Sequence, residues 1–95
     1  MRISWDPKAL AALEAAGMYI AEDDPTAASR LAQRIFEAVD SLIPYPLLGR
    51  AGRVVGTREL VISRTPYIAV YRMRGQAIEV LAVLHTARAW PDRFD

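Results

Sequence analysis

The one side chain in this sequence suited to proton transfer near neutrality falls near its C-terminal end, with an arginine and two large aromatics following it. Histidine is the side-chain type that exchanges a proton near neutrality, so His85 is the candidate general acid or base. A single histidine without a placed partner argues weakly for catalysis, and the plainer role is a ring that ends a strand and covers the edge of a core. Arg88 stands three residues on, where its guanidinium could grip a carboxylate or phosphate at two points. Trp90 and Phe94 follow as large aromatics that either fold back on the protein or meet a partner. A second basic group, Gly49-Arg50-Ala51-Gly52-Arg53, has no evident carboxylate neighbour, so Arg50 and Arg53 read as partner-facing residues or as plain solubility. Arg58 follows on the next predicted strand. Cysteine is absent and His85 is the one histidine, which excludes thiolate and multi-histidine metal sites. The acidic run Glu22-Asp23-Asp24 reads as a solvated turn with a helix cap, and neither a metal nor a cofactor is expected.

The elements that position these residues follow from composition and periodicity. A chain of 95 residues with 53% hydrophobic content is one domain's worth, 1–95, with enough apolar surface for a modest core. Twelve basic against 11 acidic residues leave a formal charge of +1, poor equipment for binding nucleic acid through the whole-molecule field. Nearly all the cations are arginines, Lys8 being the exception. No apolar run approaches the roughly 18 residues of a membrane span, and the N-terminal residues lack a signal-peptide pattern, so a cytoplasmic location is expected. Arg2–Trp5 predicts a short strand. Asp6-Pro7 and Asp24-Pro25 each predict a helix start, an Asp cap followed by a proline that needs no N–H partner. Leu10, Leu13, Gly17 and Ile20 mark one helix; Ala28, Leu31, Ala32, Ile35, Val39, Leu42 and Ile43 mark a second, giving an antiparallel hairpin.

From Val54 the period changes to two, and Val54–Ile62, Tyr67–Arg74 and Ala77–His85 predict a three-stranded antiparallel meander. The Gly75-Gln76 turn sets Arg72 opposite Glu79, Val70 opposite Leu81 and Ile68 opposite Val83, with Arg58 beside Arg72. One face then holds Leu60, Ile62, Ile68, Val70, Leu81 and Val83, and the other Val61, Tyr67, Ala69, Tyr71, Val80, Ala82 and Leu84. Both are apolar, so the sheet needs two covers while the chain offers one helical hairpin. The C-terminal tail or another protein must supply the second. The fold class is α+β.

In this order, the strings YIAEDDPTAASRLAQRIFEAVDSL, GRAGRVVGTRELVI, PYIAVYRM and VLAVLHTARAWP resemble the RelE/ParE family of toxins across essentially the whole chain. The resemblance implies a type II toxin, neutralised in a hetero-oligomer by a cognate, ParD-like antitoxin that would also carry any DNA contact. It leaves two activities open. RelE-like members cleave mRNA on the ribosome and carry a middle-strand arginine and earlier lysines; here those positions hold Ile68, Glu59 and Val61. Arg88 matches a later arginine of that pattern, while Trp90 or Phe94 stands near its acid/base tyrosine and neither can donate a proton to a leaving group. His85 and Arg88 would have to supply the catalysis. The departures favour a ParE-like inhibitor of DNA gyrase, acting in growth inhibition and plasmid stabilisation, with Arg50, Arg53, Arg58, Arg88, Trp90 and Phe94 as candidate target or antitoxin contacts. A ribosome-dependent endoribonuclease is the alternative, and a non-toxic antitoxin-binding relic is a third reading.

Overall fold

Both helices begin where the Asp-Pro pairs predict. In the computed structural model, which describes residues 1–87, 90, 91, 93 and 94, Asp6 accepts from the Lys8 N–H at 2.8 Å and Asp24 from the Ala27 N–H at 3.1 Å. These caps open α1, Pro7–Ala21, and α2, Pro25–Asp40. On α2 the buried residues Ala28, Leu31, Ile35 and Val39 recur every three or four positions, one stripe facing inward. Leu31, Ile35 and Val39 each contribute about 1.5–3 kcal/mol when fully buried. Trp5 and Phe36 meet edge to face at 5.2 Å, which fixes the first strand against α2.

The strands are β1, Arg2–Trp5; β2, Arg50–Ala51; β3, Arg58–Val61; β4, Tyr67–Arg74; and β5, Ala77–His85. They form one sheet in the order β1-β5-β4-β3-β2. The expected antiparallel meander is present as β3-β4-β5. Two edges extend it beyond the expectation: β1 pairs with β5 in parallel, and β2 pairs with β3. The long predicted strand from Val54 is shorter than expected because Gly52 donates to the Thr57 carbonyl at 2.8 Å and Thr57 to that of Val54 at 3.1 Å, closing a turn where the strand should run.

The register also corrects two expectations. Arg72 does lie opposite Glu79, but Val70 pairs with Ala82, Ile68 with Leu84 and Ala69 with Val83, because the ladder shifts between Val70 and Tyr71 and leaves Leu81 as an extra residue. Such a bulge reverses the face of everything beyond it. Arg58 lies opposite Tyr71, not beside Arg72. The face toward the helices therefore holds Leu60, Ile62, Ala69, Tyr71, Ile78, Val80 and Val83, packed with Leu13, Leu31, Ile35 and Val39 in one core.

The reverse face is also apolar, as the two-sided pattern required. Ile68, Val70, Leu81 and Ala82 are buried outside that core. The tail reaches this region. Leu81, Pro91 and Phe94 share a cavity of about 190 Å³ with Asp6 and Lys8, and the Arg53 guanidinium lies 3.9 Å from the centre of the Trp90 ring. No helix among the described residues is long and apolar enough to cross a membrane.

Candidate functional site

The basic loop is built around one carboxylate. Glu59 on β3 is 3% exposed, and its oxygens accept from the Arg53 N–H at 2.8 Å and from Arg50 Nη2 and Nε at 3.2 and 3.4 Å. The short β2 strand sets Arg50 directly opposite Glu59, so the carboxylate that looked absent from the neighbourhood of Arg50 and Arg53 is supplied across the ladder. A buried carboxylate stays only where donors replace its water. Here one arginine and one backbone amide do so, and the guanidinium of the second arginine lies over the Trp90 ring.

Tyr71 holds the preceding segment in place. Fully buried on β4, it accepts from the Gly49 N–H at 2.9 Å and donates to the Pro46 carbonyl at 2.8 Å. Arg58 Nη1 adds donations to the carbonyls of Gly49 at 2.7 Å and Leu47 at 3.4 Å. A side chain at Gly49 would meet the Tyr71 ring at 2.7 Å and the Glu59 carbonyl at 2.9 Å, so only glycine lets the backbone approach this closely. The segment thus fixed presents Tyr45, Leu47 and Leu48 outward, all more than half exposed.

The structure brings Arg50, Arg53, Arg58 and Trp90 together around β2 and β3 and leaves His85 elsewhere. His85 is the last residue of β5, opposite Tyr67. That is four residues along β4 from the Tyr71 that faces Arg58, or roughly 13 Å. Its Nδ1 accepts from the Ala87 N–H at 3.1 Å and its ring stands edge-on to Tyr67 at 5.3 Å. Arg72 makes the expected pair with Glu79, at 2.7 Å, and Arg74 joins it at 3.7 Å. Phe94 lies with Leu81 beside the tail. Arg88 lies outside the described residues. Among the described residues no group of His, Asp and Glu could hold a metal ion.

One constellation went unread in the sequence. Arg30 and Arg34 of α2 and Arg64 of the β3–β4 turn line a groove of about 420 Å³ with Tyr19, Tyr67 and His85. The helical spacing of Arg30 and Arg34 was visible; the third arginine comes from the tertiary fold.

This geometry has close relatives. Residues 3–90 match the family model described as ParE toxin of type II toxin-antitoxin system, parDE. The chain belongs to the ParE toxin family. Among its relatives, "Putative toxin Y4kP" of Sinorhizobium fredii is 48% identical over 95% of this chain and 93% of its own length. "Toxin RelE2" of Caulobacter vibrioides is 37% identical over 92% of this chain and 97% of its own. Among solved structures, one titled "Chromosomal ParDE TA system from P. aeruginosa" superposes with a TM-score of 0.80 at 32% identity, covering 90% of this chain and 95% of that one. The ParE-family assignment accounts for the hairpin and meander, and it agrees with the family resemblance drawn from the sequence. The chain is thus a toxin component of a type II toxin–antitoxin system.

Proposed function

We propose that this ParE-family chain is a toxin that acts by binding DNA gyrase, without catalysis of its own, and that a ParD-like antitoxin neutralises it by covering its exposed surfaces. One observation carries this reading. Glu59 and Val61 of β3 and Ile68 of β4, the positions that a nuclease of the wider family fills with cations, alternate onto the face away from the helices. There Ile68 is 3% exposed and the Glu59 carboxylate is already held by Arg50 and Arg53. His85 pairs with Tyr67, whose side chain packs on the opposite, helix-covered face. A phosphoryl transfer needs its base, acid and cations around one phosphorus. A site split across two faces of a sheet does not meet that need.

The test is growth arrest on induction, its relief by the product of the neighbouring gene, and supercoiling of plasmid by purified gyrase in the presence of the toxin. His85→Gln should keep most of the toxicity, because the ring serves packing. Arg88→Ala should lose it, as a contact to an anion on the target. Thermal melts close to that of the parent must first show both variants folded. Cleavage of mRNA by the parent in a translating extract, with loss of toxicity in folded His85→Gln, would replace gyrase with the ribosome and make His85 and Arg88 catalytic. No growth arrest in the parent would leave only an antitoxin-binding relic.

A further inference from the structure

We propose that the segment joining α2 to β2, with Asp40 at one end and Arg50 at the other, is a self-association surface on which a second copy of this chain docks across a two-fold axis. The proposal goes beyond the toxin reading and does not depend on it.

The apolar side chains mark the surface. Ile43, Tyr45, Leu47 and Leu48 are all exposed. Tyr45, Leu47 and Leu48 line one shallow hollow, and Leu48 borders a second with Arg50, Leu60 and Val61. The patch therefore continues onto β3 through Val61, which is also more than half exposed. β2 is the last strand on that side of the sheet, so no further strand covers it. Large apolar side chains that adjoin in this way mark a contact surface, which single scattered ones do not.

The backbone beneath them is held in one shape, more firmly than a mere connection requires. Pro44 and Pro46 fix φ on either side of Tyr45. The Leu48 N–H donates to the Tyr45 carbonyl at 3.0 Å, closing a turn with proline at its second position. The Tyr71 hydroxyl and the Arg58 guanidinium grip the same turn from the sheet. Docking onto a backbone that is already ordered avoids part of the entropy cost of association.

The charges name the occupant. Asp40 is the last residue of α2 and exposed, and its carboxylate has no ion pair or hydrogen bond among the described residues. The partial negative charge of a helix C-terminus disfavours a carboxylate there, so within one copy Asp40 destabilises its own helix. Arg50 bounds the segment at the other end, its side chain 57% exposed even while it reaches Glu59. A segment with an acid at one end, a base at the other and Tyr45 midway complements a second copy of itself laid antiparallel. Asp40 of each copy then faces Arg50 of the other, and the apolar side chains meet at the axis. A partner carrying one sign of charge would leave one end of the segment against its like. The formal charge of +1 puts little repulsion between two copies.

Analytical ultracentrifugation of the purified full chain tests this. The parent should pass from monomer to dimer between about 1 and 500 µM. Leu47→Glu places a charge at the centre of the interface and should raise the dissociation constant at least about tenfold, while the exposed site leaves Tm near that of the parent. Asp40→Arg should also weaken the dimer and yet raise Tm at about 1 µM, because a cation suits the helix end. Added sodium chloride should loosen the parent dimer and tighten that of Asp40→Arg, whose new arginine faces Arg50. A parent that stays monomeric throughout, a dimer indifferent to Leu47→Glu, or an Asp40→Arg dimer as tight as the parent's would each overturn the proposal. In the monomeric case, loss of growth arrest in folded Leu47→Glu would assign the surface to a different protein.

Discussion

Tyr71 and Glu59 do different work within a few ångströms of each other. The Tyr71 hydroxyl satisfies a buried backbone N–H and a carbonyl at once, so Tyr71→Phe strands both and should cost about 1–3 kcal/mol. In a chain of this size, each kcal/mol lowers Tm by about 4–8 °C. Removing Glu59 strands the Arg53 amide and the inner face of Arg50, and Glu59→Ala should likewise cost about 1–3 kcal/mol. Glu79 faces the same kind of cation on β4, yet its side chain is 21% exposed where that of Glu59 is 3%. Water screens that pair, and Glu79→Ala should cost less than about 1 kcal/mol. Chemical denaturation of the three variants beside the parent would measure this order, and a Glu79→Ala loss equal to that of Glu59→Ala would refute it.

Among the elements, the helices were legible because their signals are local: the Asp-Pro caps and the stripe on α2 lie in consecutive residues. The meander was legible for the same reason, since the Gly75-Gln76 turn pins Arg74 to Ala77 and Arg72 to Glu79. Leu81 was not. Val80, Leu81, Ala82 and Val83 are apolar on both parities, so nothing in their pattern marks where one residue drops out of register. The ladder of β2 is two residues long, too short to show a period, and with it the Arg50–Glu59 pairing stayed hidden. The basic loop was recognised as basic, but its carboxylate partner and the closing tail belong to the fold. That tail invites its own test. Trp90→Ala removes a half-buried ring from beneath Arg53 and should cost about 1–3 kcal/mol, counting lost apolar contact and a cation–π term. Trp90→Phe should restore more than half of the lost stability in thermal melts, and no difference between the two would mean that the ring is idle.

At the scale of the whole molecule, the core and the arginine-lined groove draw on different forces. The core between sheet and hairpin is apolar, whereas the groove arginines are unpaired among the described residues and two of them, Arg30 and Arg64, are exposed. Raising salt from about 0.1 to about 1 M shortens the Debye length from roughly 10 to 3 Å. Partner dissociation should therefore speed up while the melting temperature stays nearly constant. Surface plasmon resonance beside calorimetry in the same buffers would check both halves, and salt-independent dissociation would remove the electrostatic account.

The parallel pairing of β1 with β5 has a consequence for how the protein comes into being. Arg2 finds its partner only at Ala77, so the strand made first must wait for the strand made last. During synthesis, at about 5–20 residues per second, the hairpin can form early, but the sheet cannot close on β1 until β5 has been made. A chain interrupted before β5 leaves its apolar faces open and its sheet unfinished. The complete sheet is thus built only once β5 is available, and in the proposed function an antitoxin already present would meet it as it forms.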